Sequence, residues 1–205
     1  RGLARRQSGD LRGAIQDYTE AIRINLDYVP AYFNRAIARR NTNDTDGAIG
    51  DFTEALRHAP DNAAYYYNRA IALSMKGDHL NALFDLAKAR ELRPDDVSVA
   101  ISYIRALRTL GLTQRADEET DRAREKVSAE PQYNQACFEA VCGNKDKALT
   151  LLRTALVLGQ VSAGWAERDP DLEAIRGDSR FMALLHDLGS GQSTTLATSS
   201  QDSSR

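Results

Sequence analysis

Small apolar residues fall along this chain at a fixed step. Alanine stands at Ala14, Ala48, Ala82 and Ala116, each 34 residues after the last, and a second series runs through Ala21, Ala55, Ala89 and Ala123. Between the two series a large side chain recurs as Tyr18, Phe52 and Leu86, and the fourth place is taken by Thr120. A period of this length means stacked copies of one supersecondary unit, none of which can bury its apolar face alone. The clearest copies are Val29 to Asn62 and Ala63 to Asp96. Each divides into two helical stretches parted by a short turn, Asn43-Asp44 in one and Gly77-Asp78 in the other. Asparagine or glycine suits a left-handed helix end, and the aspartate after it suits the start of the next helix. Pro60 and Pro94 then stop each second helix. Ala36 and Ala70 on the first helices, with Ala48 and Ala82 on the second, mark where the paired backbones come close, and Phe52 and Leu86 fill the space beside them.

This small–aromatic–small–proline order within its period resembles the tetratricopeptide repeat (TPR). On that alignment Arg1 to Tyr28 is the tail of a first repeat, matching at Gly2, Ala14, Tyr18 and Ala21. Repeats over 29–62 and 63–96 follow, then 97–128 with Gly111, Ala116 and Ala123. A fifth, 129–158, carries Ala136, Gly143, Ala148 and Ala155 and arrives two residues early. Arg35 and Arg69 stand where the family usually has leucine, and Arg39 and Leu73 where it often has tyrosine. Over 159–188, Trp165, Leu172, Ile175, Phe181, Leu184 and Leu185 predict one or two short amphipathic helices, and the stretch DPDLEAIRGDSRF is similar to the closing segment of many bacterial TPR arrays. From Gly189 to Arg205 the chain is polar, and a disordered tail is expected. The resemblance therefore implies an all-α fold, a right-handed α-α superhelix (TPR solenoid) with C-terminal capping helices.

Composition narrows the function. No apolar run among the 205 residues approaches the ~18 needed to span a bilayer. A formal net charge of −2 argues against nucleic acid, whose binders carry a basic stripe. Cys137 and Cys142 are five apart, a spacing that turns them to different helix faces and suits neither a disulfide nor a metal pair. A reducing compartment is expected from this, with the cytoplasm as the default address. The chain starts at Arg1, within a repeat, so it reads as a segment of something longer. The shortened first repeat leaves Leu3, Ile15, Ile22 and Ile24 short of cover, an edge open to self-association.

In TPR arrays the first helix of each repeat lines the concave surface. Carried onto this chain, the ligand-facing positions are Phe33, Asn34, Ile37, Arg40 and Asn41 in one repeat and Tyr67, Asn68, Ile71 and Ser74 in the next. Ile101, Arg105 and Arg108 follow, then Tyr133, Asn134 and Cys137. The steps of three and four keep each set on one helix face. Asparagine takes one register three times, as Asn34, Asn68 and Asn134. Its amide can both donate to and accept from a peptide backbone, or it can cap or bridge neighbouring helices instead. Arg40, Arg105 and Arg108 beside Phe33 and Tyr67 suggest a ligand with an apolar anchor and acidic flanks, or else arginines in ion pairs within their repeat.

The lysine–asparagine clamp by which some TPR domains hold an acidic C-terminus is missing, since Phe33, Ile37, Ser98 and Ser102 occupy its places. The Asp-x-Asp-Gly within Thr42 to Thr53 lacks the first and last acids of a calcium loop. Neither Gly189-Ser190-Gly191 nor the scattered His58, His79 and His186 makes a phosphate loop, a metal site or a nucleophile pair. No cofactor and no catalysis are expected. The sequence predicts a protein-interaction scaffold holding a peptide or partner domain in its groove, with a docking or regulatory module of a larger signalling enzyme as the alternative, and RNA binding disfavoured by the charge.

Overall fold

Backbone reversal comes where the sequence places it. In the computed structural model, which describes residues 1–189, Asn43 and Gly77 take φ values of 63° and 84°, in the left-handed region. The aspartate that follows each one caps the next helix. Asp44 accepts from the Gly47 amide at 3.0 Å and Asp78 from the Asn81 amide at 3.3 Å. Described residues form no strand, and no helix among them is long and apolar enough to cross a membrane. The tail expected to be disordered lies outside the described residues from Ser190 on, while Gly189 closes the last helix.

Two compact units make up the chain, Arg1–Leu112 and the part from Thr113 onward. The first contains α1 (Gly2–Gln7), α2 (Leu11–Ile24), α3 (Val29–Asn41), α4 (Thr45–His58), α5 (Ala63–Met75), α6 (His79–Leu92) and α7 (Val97–Thr109). Helices pair as hairpins α1–α2, α3–α4 and α5–α6, and each second helix packs on the first helix of the next pair. Ala14, Ala36, Ala48, Ala70 and Ala82 have no exposed surface, which is what lets the backbones close on each other. Phe52 is fully buried with Ala36, Ala48 and Ala72, so its seam already joins two repeats. Near the N-terminus one expectation is corrected. Ile22 is buried with Ala14, Tyr18 and Ala31 rather than left uncovered, because the next repeat's Ala31 closes over it; Leu3 and Ile24 do remain exposed, and Ile15 is half-buried.

The arginines that stand in for leucine have a structural role. Arg35 grips buried Asp51 of α4 with two bonds, Nε to Oδ2 at 2.8 Å and Nη2 to Oδ1 at 2.7 Å, and Arg39 donates to the same carboxylate at 2.8 Å. One repeat on, Arg69 holds Asp85 at 2.7 and 2.8 Å, but Leu73 supplies no second arginine. Each guanidinium also reaches back a repeat, Arg35 to the Thr19 hydroxyl at 3.0 Å and Arg69 to the Thr53 hydroxyl at 3.2 Å. Tyr32 and Tyr66 lie under these two guanidinium groups at 5.8 Å. A bidentate bond with further donors meeting the carboxylate is the geometry that offsets the desolvation of a buried ion pair.

The second unit contains α8 (Thr113–Ser128), α9 (Gln132–Val141), α10 (Lys145–Val157), α11 (Ala163–Ala166), a 3-10 turn at Pro170–Leu172, α12 (Glu173–Arg176) and α13 (Ser179–Gly189). Thr120, in the aromatic place, is buried, and its hydroxyl donates to the Ala116 carbonyl at 2.8 Å. Here the buried acid stands on the first helix of the pair instead of the second. Glu139 on the first helix, α9, accepts from Lys147 and Asn144, each at 2.6 Å, with Arg124 at 3.9 Å. Burial alone would raise the Glu139 carboxyl, yet the bonds from Lys147 and Asn144 outweigh it and hold the group below the usual carboxylate range.

The closing segment is more broken than the one or two helices expected. Asp169 caps the turn at Pro170, and Asp178, held down to about 2 by hydrogen bonds from Arg180, lies just before α13. Leu172, Ile175 and Phe181 are fully buried, Leu185 is buried and Leu184 half-buried. Trp165, in contrast, is 61% exposed and lies outside the apolar face that the sequence assigned to it.

Candidate functional site

The first helices α3 and α5 carry the larger part of the expected ligand-facing set, and the structure brings these two helices together. Arg40 near the end of α3 donates from Nη1 to the Asn68 Oδ1 on α5 at 3.1 Å, a bond that joins neighbouring repeats along this face. The same Asn68 donates its amide to the Ala64 carbonyl one turn back, at 2.8 Å. Asn34 does likewise to Pro30, at 2.8 Å. Asn134, in the second unit, donates at 2.8 Å to the Glu130 carboxylate, four residues before it. Each asparagine thus spends its N–H on its own chain, one turn away, and keeps its carbonyl oxygen for something else. In Asn68 that oxygen is taken by Arg40. In Asn34 it accepts from no described residue.

Apolar members of the set sit deeper than ligand-facing positions in an open groove would. Phe33 packs its ring 4.9 Å from Tyr65 of the next repeat and 5.8 Å from Phe52 of its own. Ile37 packs against the Phe52 cluster beside it, so both side chains are half-buried in the seam. Tyr67, Ile71 and Ser74 are half-buried on α5, and Asn41 is exposed at the end of α3. On α7, Arg105 and Arg108 are half-buried, while Ile101 is only 2% exposed and is a wall residue with no surface to offer.

Tyr133 and Cys137 belong to the second unit, where the closing segment already meets them. The Tyr133 hydroxyl donates to the Asp169 carboxylate at 2.5 Å, and the buried Cys137 sulfur lies 4.0 Å from the same oxygen. Burial, reinforced by that carboxylate, raises both the phenol and the thiol above their ordinary ranges. Gln160 adds a bond to the Tyr133 backbone amide at 3.2 Å. The chain itself therefore occupies what the repeat pattern presents as a ligand position.

Electrostatics single out Arg40. Partial burial pushes its guanidinium below the usual range, with Tyr67 acting weakly the other way, and the group still carries its charge at any physiological pH. Among the described residues no carboxylate pairs with it, unlike Arg35, Arg39 and Arg69 on the same helices. One residue of this face was missing from the expected set. Arg6 on α1 stands one 34-residue step before Arg40, and its Nε is buried with no hydrogen-bond partner. Counting backwards from Arg40 would have found it.

Elsewhere, an open cavity of about 710 Å³ beside the start of α10 is lined by Arg124, Glu139, Lys147 and Arg180, whose charges are met within the unit. Among the described residues no group of three or more His, Cys, Asp or Glu side chains is placed to hold a metal ion.

A family model described as TPR repeat matches residues 2–42. No curated protein matches the chain. Among solved structures, MamA is similar at 18% identity and a TM-score of 0.58, over 78% of this chain and 94% of its own. YrrB, described as a TPR protein with an unusual peptide-binding site, is 21% identical with a TM-score of 0.58, over 78% of this chain and 83% of its own. The TPR domain of Arabidopsis OM64 is 27% identical with a TM-score of 0.50, over 51% of this chain and 87% of its own. The first two likenesses show the fold.

Proposed function

We propose that this chain, which has the fold of tetratricopeptide-repeat proteins and matches their repeat model over residues 2–42, works as a non-catalytic scaffold that holds a peptide segment or a partner domain against the first helices of its repeats. The Arg40–Asn68 bond carries this reading, because it aligns α3 and α5 side by side and leaves a charged group at their join that the fold does not neutralise. Around it Ile37, Tyr67 and Ile71 are each half-buried, so each keeps some apolar surface to offer, and Asn34 keeps a free carbonyl oxygen. A row of half-open apolar groups with polar atoms at fixed intervals suits an extended segment whose backbone is held by hydrogen bonds and whose side chains fill shallow recesses. The peptide-binding description of YrrB, which shares the fold, is in keeping with this. Asn41, Arg105 and Arg108 extend the proposed face in the first unit; Asn134 and Tyr133 are the proposed face in the second, where a ligand would have to displace Asp169 from Tyr133.

The test is capture of partners from a cell extract by the full chain, repeated with Tyr67→Ala and Asn68→Ala together. Proteins that disappear from the variant's eluate are bound through this face. Retention of every captured protein by a variant that still folds would refute the assignment.

A further inference from the structure

Resting on the groove reading above, we infer that Arg6 and Arg40 form a two-point anchor for an acidic stretch of polypeptide, each guanidinium taking one side-chain carboxylate. Other arginines on these first helices are committed to the fold. Arg1 and Arg5 serve Asp17, Arg35 and Arg39 serve Asp51, and Arg69 serves Asp85. Arg6 and Arg40 stand apart from them: among the described residues neither meets a carboxylate, and the buried Nε of Arg6 has no hydrogen-bond partner.

Repeat equivalence puts the two at the same point of successive units. Arg40 shows where that point is, because its guanidinium reaches the Asn68 oxygen on the facing first helix. The corresponding pair one repeat earlier is Arg6 with Asn34, and there the bond is not made, leaving a buried Nε and an unused oxygen. A donor that is buried and unbonded is costly to keep, and a ligand oxygen would relieve it. Partial desolvation also strengthens the pull of these cations on an anion. The planar fork of arginine matches a carboxylate through two parallel bonds.

Spacing sets the ligand's pattern. The Arg40–Asn68 bond puts first helices of successive repeats within side-chain reach. With a step of about 8–10 Å between such helices and an extended rise of about 3.3 Å per residue, the two acids would be about three residues apart. Two discrete cations on a chain of net charge −2 suit such a peptide better than a nucleic acid, which wants a continuous basic stripe.

The test is selection from a displayed library of random peptides with the full chain as bait, followed by affinity measurement on the enriched sequences as synthetic peptides. Enriched peptides should carry two Asp or Glu three residues apart. Arg6→Gln and Arg40→Gln should each weaken them about tenfold and flatten the salt dependence. Arg57→Gln, on an exposed arginine paired with Glu54, should change nothing. Unaltered melting curves would show that the glutamine variants fold. Enrichment of uncharged peptides, or acidic ones indifferent to both glutamine changes, would overturn the anchor and leave the groove reading standing if Tyr67→Ala still weakens them. Failure to enrich any peptide would overturn both, and displacement of the peptides by single-stranded RNA at equal affinity would reassign the two arginines to phosphate.

Discussion

Arg35 and Asp51 lock the two helices of one repeat together, with Nε and Nη2 of the arginine meeting the two carboxylate oxygens at 2.8 and 2.7 Å. Asp51 also takes Arg39, so its removal strands two cations in a half-buried seam. Asp51→Asn should cost about 3 kcal/mol, at the low end of what breaking a buried pair costs because the arginines keep some access to water. Asp85→Asn strands Arg69 alone and should cost less. Denaturant melts of the two variants check the order, and equal losses would count against it.

The turns offer a contrast between two residues in one conformation. Asn43 holds a φ of 63° and Gly77 one of 84°. Gly77→Ala forces a side chain into the left-handed region and should destabilise by about 1–2 kcal/mol. Asn43→Gly should be nearly neutral, since glycine takes that conformation without strain. Thermal melts of both variants separate backbone strain from a loss of side-chain contacts.

Ala48 and Ala82 have no exposed surface and sit where paired helices touch. Ala48→Leu or Ala82→Leu should overpack the hairpin and cost about 1–3 kcal/mol. Both sites should respond alike, because they are the same place in successive units. A large loss at one with none at the other, in parallel urea titrations, would contradict that equivalence.

Acid should loosen the second unit through Glu139. Its folded carboxyl titrates below the ordinary value of about 4.3, so the stability it contributes is present above that pH and is lost as pH falls through the folded value. Glu139→Gln should lower the melting temperature at pH 7 and flatten the decline between pH 5 and pH 3. Melting curves across that range, followed for the wild type and the variant, check both parts.

Much of this was legible in the chain itself. The 34-residue step gave the helix hairpins, and the small residues at Ala48 and Ala82 gave their contact points, because close packing of two helices restricts what can stand there. The Asn43-Asp44 and Gly77-Asp78 turns were readable because cap chemistry is local. Partnership between distant side chains was not. Arg35 looks like a departure from an apolar rule until Asp51, on the other helix, is seen to receive it. Tyr133 reads as ligand-facing by register alone, and only the folded closing segment reveals Asp169 against its hydroxyl. Arg6 escaped because it lies in the shortened first repeat, where fewer matching positions fix the alignment.

The backward bonds from Arg35 to Thr19 and from Arg69 to Thr53 mean that residues 29–62 hold both halves of one fastening, an arginine to reach behind and a threonine to be reached from ahead. A gene duplication that copied this stretch in tandem would deliver a spare link already fitted to its neighbours on either side. Growth of such a chain by whole increments needs no redesign of the joint.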